Sequence, residues 1–140
     1  MPMTSTNEML IASKWIHSTI GTLSSSISGA YLDLIPRDVA LPAVRYTVRF
    51  ATDTMPVDGT RILSRIDWLI VVVREGLEVA PLVPIANALD GALHGVTGTA
   101  DGLRIICTRL EPFGMIDPDD KTGTQYRHVG GIYRTLVGSI

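Results

Sequence analysis

Pro42-Ala43-Val44-Arg45-Tyr46-Thr47-Val48-Arg49-Phe50 decides the fold class. Val44, Tyr46, Val48 and Phe50 alternate with Arg45, Thr47 and Arg49, so the spacing predicts a strand with one apolar and one cationic face. The turn-forming run Asp53-Thr54-Met55-Pro56-Val57-Asp58-Gly59-Thr60 follows, and a second strand is expected over residues 61–74. There Ile62, Ile66, Trp68, Ile70 and Val72 share a face, with Arg65 and Asp67 opposite. A connection this short suits an antiparallel hairpin and leaves no room for a helical crossover.

Helices are expected on either side of that hairpin. Ser5-Thr6-Asn7-Glu8 has the form of a capping box. Met9, Ala12, Ile16, Ile20 and Leu23 then recur at intervals of three and four, which predicts a helix over residues 6–20. An irregular stretch through Tyr31, Leu34 and Ile35 leads to the breaker Pro36. Downstream, Pro81 and Pro84 suit a helix start, where amide protons have no internal partner. Leu82, Ile85, Ala86, Leu89 and Leu93 continue as an apolar stripe that Gly95 stops, giving a second helix over residues 80–94.

Gly98 and Asp101-Gly102 read as a turn, residues 103–111 as a third strand ended by Pro112, and residues 125–137 as a fourth. In the last, Val129, Tyr133, Thr135 and Val137 share a face, and Gly130-Gly131 suggests a bulge or tight bend. The order αββαββ implies a two-layer α+β domain: a four-stranded, mainly antiparallel sheet covered by two helices. With no internal repeat, residues 1–140 are expected to form one domain.

At 140 residues the chain can bury roughly two-thirds of its unfolded surface. Hydrophobic residues make up 46% and charged residues 19%, with a mean hydropathy of +0.27, which excludes a disordered chain. Twelve basic and fourteen acidic side chains leave a charge of −2, against the clustered cationic surface of a dedicated nucleic-acid binder. The single cysteine cannot form an intrachain disulfide. Met1-Pro2-Met3-Thr4 lacks the basic and apolar segments of a secretory signal, which points to a reducing, cytoplasm-like setting. The apolar run 68–73 is six residues, far short of the ~20 that cross a bilayer as a helix.

Motifs for chemistry are sparse. His17, His94 and His128 fall on three separate elements without the spacing of a zinc site, and Cys107 alternates with Leu103 and Ile105 as a core thiol. Gly95-Val96-Thr97-Gly98-Thr99 follows the negative end of a helix, the wrong place for a phosphate cradle. Asp117-Pro118-Asp119-Asp120-Lys121 puts a lysine where a calcium loop needs an oxygen ligand. Neither a cofactor nor a metal is expected, and no catalytic residues are assigned.

Contact surfaces are better candidates. Arg45, Arg49 and Arg65 line the polar faces of the first hairpin, either in cross-strand ion pairs or at a subunit contact. Met55, Pro56 and Val57 in one long loop, and Phe113, Met115 and Ile116 in the other, place apolar residues where hairpin loops are usually polar, and Asp117 beside them is a further candidate for the contact. Such residues mark a partner surface unless they fold back onto the domain.

The chain runs through Leu41-Pro42-Ala43-Val44-Arg45-Tyr46, an acidic glycine-bearing loop, Asp67-Trp68, and Ile85-Ala86-Asn87-Ala88-Leu89. Gly102-Leu103-Arg104, Tyr126-Arg127-His128 and Ile132-Tyr133-Arg134 complete the set. Together these phrases resemble the tail terminator, or tail-completion, proteins of long-tailed bacteriophages. The prolines opening the second helix and the very apolar residues 69–73 depart from that pattern. The resemblance implies a non-enzymatic virion protein that assembles in the host cytoplasm as a ring of identical copies, commonly a hexamer. Its partners would be the tail tube protein and a head-completion or neck protein, with DNA only passing through the channel and no membrane contact. A ring needs one heterologous interface that closes after a fixed rotation. Other readings are a head-closure or other neck adaptor and, from a different class, a small metabolite-binding α+β domain. A nucleic-acid binder would show salt-sensitive retention on DNA.

Overall fold

The computed structural model describes residues 5–23, 25–54, 63–118 and 123–138. Both expected helices form. α1 spans Ser5–Gly21, and its Ala12, Ile16 and Ile20 are fully buried. A single 3₁₀ turn over Ala80–Leu82 runs into α2, Val83–Leu93, so Pro81 and Pro84 both sit where amide donors have no helical partner. Leu82, Leu89 and Leu93 are fully buried, and Gly95, at φ 72°, takes the chain out of the helix.

The sheet departs from the expected four strands. Among the described residues six are present: β1 Ala30–Leu32, β2 Ala43–Thr54, β3 Leu63–Glu75, β4 Val96–Ala100, β5 Leu103–Pro118 and β6 Gln125–Gly138. They lie in the order β1-β2-β3-β6-β5-β4, and the sheet curls into a half-barrel. The expected antiparallel β2–β3 pairing is present, but β1 pairs parallel to β2, so the sheet is mixed. The layout is therefore not a four-stranded αββαββ sandwich.

Both unexpected strands are edges. β1 is three residues long, too short for its alternation to be visible. Joining two parallel neighbours requires a crossover, and residues 33–42 make it without a helix. Asp33, at φ 65°, turns the chain off the edge, with its N–H donating to the Tyr46 carbonyl at 2.9 Å and its Oδ1 accepting from Thr47 at 2.6 Å. β4, with two threonines and a glycine, gave no apolar alternation. It forms a hairpin with β5 through Asp101 and Gly102, whose φ values of 50° and 77° are those of a tight β-hairpin turn. Gly98 is required there by packing: a Cβ would run into the Trp15 indole, whose Cε2 would be 3.1 Å away.

Three further expectations change. Pro112 does not end the third strand, because β4 stops opposite Cys107 and, among the described residues, nothing pairs with the outer side of β5 beyond it. Residues 113–118, expected as part of a loop, are the second half of that strand, and residues 119–122 of the expected loop lie outside the described residues. Gly130-Gly131 is neither bulge nor bend, since both residues pair in register on both sides. Glycine is needed because a Cβ on Gly130 would meet the Ile70 carbonyl oxygen, and one on Gly131 would lie 2.9 Å from Arg109 Cδ.

The bulges fall on β2, between Val48 and Phe50, and on β5, between Arg109 and Glu111. Val48 pairs with Trp68, Trp68 with Tyr133, and Tyr133 with Arg109, so both bulges lie at one level of the sheet. Bulges bend a strand and raise its twist, which accounts for the curl at this level. The curl wraps α1, which touches β1 at one edge and β4 at the other.

Trp68, Tyr133, Ile66, Ile70, Ile105 and Val137 fill the helix-covered face with the helix stripes. Polar groups there are paired. Trp68 Nε1 donates to Thr135 Oγ1 at 3.0 Å, and Thr135 Oγ1 donates to the Ile66 carbonyl at 3.2 Å. Tyr133 donates to Asp90 Oδ1 at 2.9 Å. Glu8, expected in the capping box, is instead buried (1% exposed), with Ser64 Oγ at 3.4 Å from its carboxylate and donating to Asp53 at 2.8 Å.

Candidate interaction face

The period of two sends the other half of each strand to a face that no helix covers among the described residues. Residues directly opposite share a face. One cross-strand row there reads Phe50, Asp67, Arg134, Thr108, and the next toward the β2–β3 connection reads Thr52, Arg65, Leu136, Ile106. In the other direction the rows read Thr47, Leu69, Ile132, Glu111, then Arg45, Val71, Gly130, Phe113. Val73, His128 and Met115 follow, then Glu75, Tyr126 and Asp117.

This face has an apolar centre and charged ends. Leu69, Val71 and Val73 are buried, with Ile35 from the crossover, Phe113, Tyr126 and Ile132 packed on them. At one end Arg134 makes a two-pronged contact with Asp67, Nε to Oδ1 at 2.9 Å and Nη2 to Oδ2 at 3.3 Å. Arg65 is 4.0 Å from the same carboxylate and stacks 5.2 Å from the centre of the Phe50 ring. Its Nε is buried without a hydrogen-bond partner among the described residues. Phe50 itself is 51% exposed.

At the other end His128 is 5% exposed. Its Nε2 lies 3.8 Å from Asp117 Oδ2, and its Nδ1 has no hydrogen-bond partner among the described residues. Burial, then the positive charge of Arg45, lower its pKa from 6.5, and Asp117 pulls the other way.

The expected contact residues are distributed unevenly. Arg45, Arg65, Phe113, Met115 and Asp117 share this face. Arg49 does not join them as expected: it is the bulged residue, exposed at the β2 edge, and the bulge rotates Phe50 from the core face onto the arginine face. Ile116, opposite Arg127, points to the other side of β5 and is 42% exposed. Met55 and Val57 lie outside the described residues. Phe113 folds back onto the Leu69–Val71–Val73 cluster, whereas Met115 stays 36% exposed. Phe50, Arg134 and His128 were not expected as members, because nothing local announces a bulge or a partner on a distant strand.

The remaining chemistry is dispersed. His17 Nδ1 meets the Tyr46 hydroxyl at 3.2 Å, and His94 Nδ1 accepts the Arg109 N–H at 2.9 Å. Cys107 is fully buried, and burial, with Asp90 as a lesser contributor, pushes its thiol up to about 12. Among the described residues no three His, Cys, Asp or Glu side chains are grouped to hold a metal ion. Glu75, Gly76, Leu77, Gly123, Thr124 and Gln125 line an open hollow beside the start of β6. Among the described residues no helix is long and apolar enough to cross a membrane.

No protein-family model matches the chain, and no curated protein does either.

Proposed function

We propose that this protein works by self-association, as the ring-forming tail terminator of a long-tailed bacteriophage. In that role copies close into a collar, commonly of six, on the head-proximal end of the tail tube. The collar stops tube growth and presents a surface to a head-completion or neck protein. DNA passes through its opening.

The observation that carries this reading is the helix-free sheet face. Among the described residues all helical cover lies on the opposite side, yet this face bears an apolar centre, charged ends and the exposed Phe50 and Met115. Exposed large apolar residues on an otherwise ordered sheet mark association surfaces. Leu110 at the β5 bulge and Ile116 on the other side of that strand, 44% and 42% exposed, add apolar surface outside this face. The short phrases that resemble tail-completion proteins supply the phage context. A mildly acidic chain also suits a channel through which DNA must slide without being held.

The test is the state of the purified protein with and without tail tubes. Native mass spectrometry and negative-stain microscopy should show closed rings, alone or on tube ends, and Phe50→Asp or Met115→Asp should weaken them. Removing the gene should yield overlong or unjoined tails. A monomer that leaves tube length unchanged, or normal virions without the protein, would overturn the assignment.

A further inference from the structure

The distal half of β5 is held on one side only. β4 ends opposite Cys107, so beyond it β5 pairs with β6 alone among the described residues. At the far end of this half, Met115 lies directly opposite His128 and Asp117 opposite Tyr126.

His128 occupies an unusual position for a titratable group. From β3 it meets Val73, with Glu75 one cross-strand pair further out. Ile35 of the crossover covers the same cluster as Val73. Two charges act on it: Arg45 from β2, which opposes a second positive charge, and Asp117 from β5, which favours one. At 3.8 Å the His128–Asp117 contact is too long for a hydrogen bond, and the Asp117 side chain is 59% exposed and solvated. The imidazole is therefore accommodated neutral, with Nδ1 buried and unpartnered.

We propose that His128 is an acid-sensitive latch: neutral, it seats the outer end of β5 on the helix-free face, and protonated, it releases that end. A cation at this position is nearly dry and faces Arg45. Water reaches it most easily where the fold is held least, by displacement of the singly paired end of β5. The same motion frees Met115 and Phe113 from the face, so acid changes the surface on offer. The charge change is local and the element it biases is the β5 end. The proposal is independent of the phage assignment.

The experiment is a titration of the intact protein by NMR, following the His128 ring and the exchange protection of the 113–117 amides. Between about pH 7.5 and about pH 5, protection there should fall several-fold more than in β3, with a midpoint matching His128 and below the ordinary histidine value. Arg45→Gln should move the midpoint up and Asp117→Asn should move it down. His128→Gln should make protection independent of pH over this range. Should that variant not fold, the two opposite shifts decide the matter. A midpoint at or above the ordinary value, one unmoved by either charge substitution, or protection that tracks β3 throughout would overturn the latch.

Discussion

Arg134 and Asp67 face each other directly across β6 and β3 and share two hydrogen bonds, of 2.9 and 3.3 Å. The pair sits in the same row as Phe50, so the Asp67 carboxylate, between Arg134 and Arg65, organises the charged end of the helix-free face. Its side chain is 13% exposed, whereas Arg134 and Arg65 are 30% and 37% exposed.

Removing that carboxylate should therefore cost stability without dismantling the core. Asp67→Ala is expected to lose about 1–2 kcal/mol, a range kept low by solvent screening of the half-exposed guanidiniums. Arg134→Ala should cost less than Asp67→Ala, since Arg65 remains beside Asp67. Urea unfolding with an unchanged denaturant slope measures both. Equal costs would show that Arg65 contributes nothing.

Two glycines of the same hairpin should respond in opposite ways. Gly130→Ala drives a methyl into the Ile70 carbonyl, and the neighbouring Val71 Cα would be 2.8 Å away, so the backbone of β3 or β6 must shift. A loss of about 3 kcal/mol or more is expected. Gly114→Ala meets only the His128 carbonyl oxygen, at 3.8 Å, and should stay within about 0.5 kcal/mol of the parent. Thermal unfolding of the two variants side by side decides it.

Cys107 should be silent to thiol reagents in the native protein. A thiol pushed up to about 12 is thiolate in only about one molecule in ten thousand at pH 8, and it is fully buried. Labelling should track global unfolding in urea and accelerate in destabilised variants such as Gly130→Ala. Rapid labelling under native conditions would place Cys107 at a locally opening edge.

Stability should fall on the acid side because of His128. Its pKa is lower in the folded state than 6.5, burial being the first cause and Arg45 the second, so the unfolded chain binds this proton more tightly. The contribution is fully present above about pH 6.5 and is lost progressively as pH falls toward the folded value. Urea midpoints across that window should decline for the parent and decline less for His128→Gln.

The helices and long strands were legible because their signals are local. Ala12, Ile16 and Ile20 mark α1 by spacing alone, and Leu82, Leu89 and Leu93 mark the second helix despite its prolines. The alternation of Ile66, Trp68, Ile70 and Val72 placed the core face of β3 correctly. Arg45 and Arg65 were likewise assigned together to the polar side. Arg49 and Phe50 were not, because a bulge exchanges the faces beyond it and leaves no mark in the residue pattern. Pro112 was misleading for a related reason: whether proline breaks a strand depends on whether a neighbour needs its missing N–H.

Local periodicity and end signals thus established where the chain runs helical or extended and which side of each long strand is greasy, since those depend on residues a few places apart. Tertiary contact settled the rest: six strands in place of four, the parallel edge, the curl about α1, and the meeting of Arg45, His128 and Asp117 from three strands. Those features arise when backbones distant in sequence approach closely, as Gly98 does under Trp15 and Gly130 beside Ile70, and no short window of residues encodes which segments will meet.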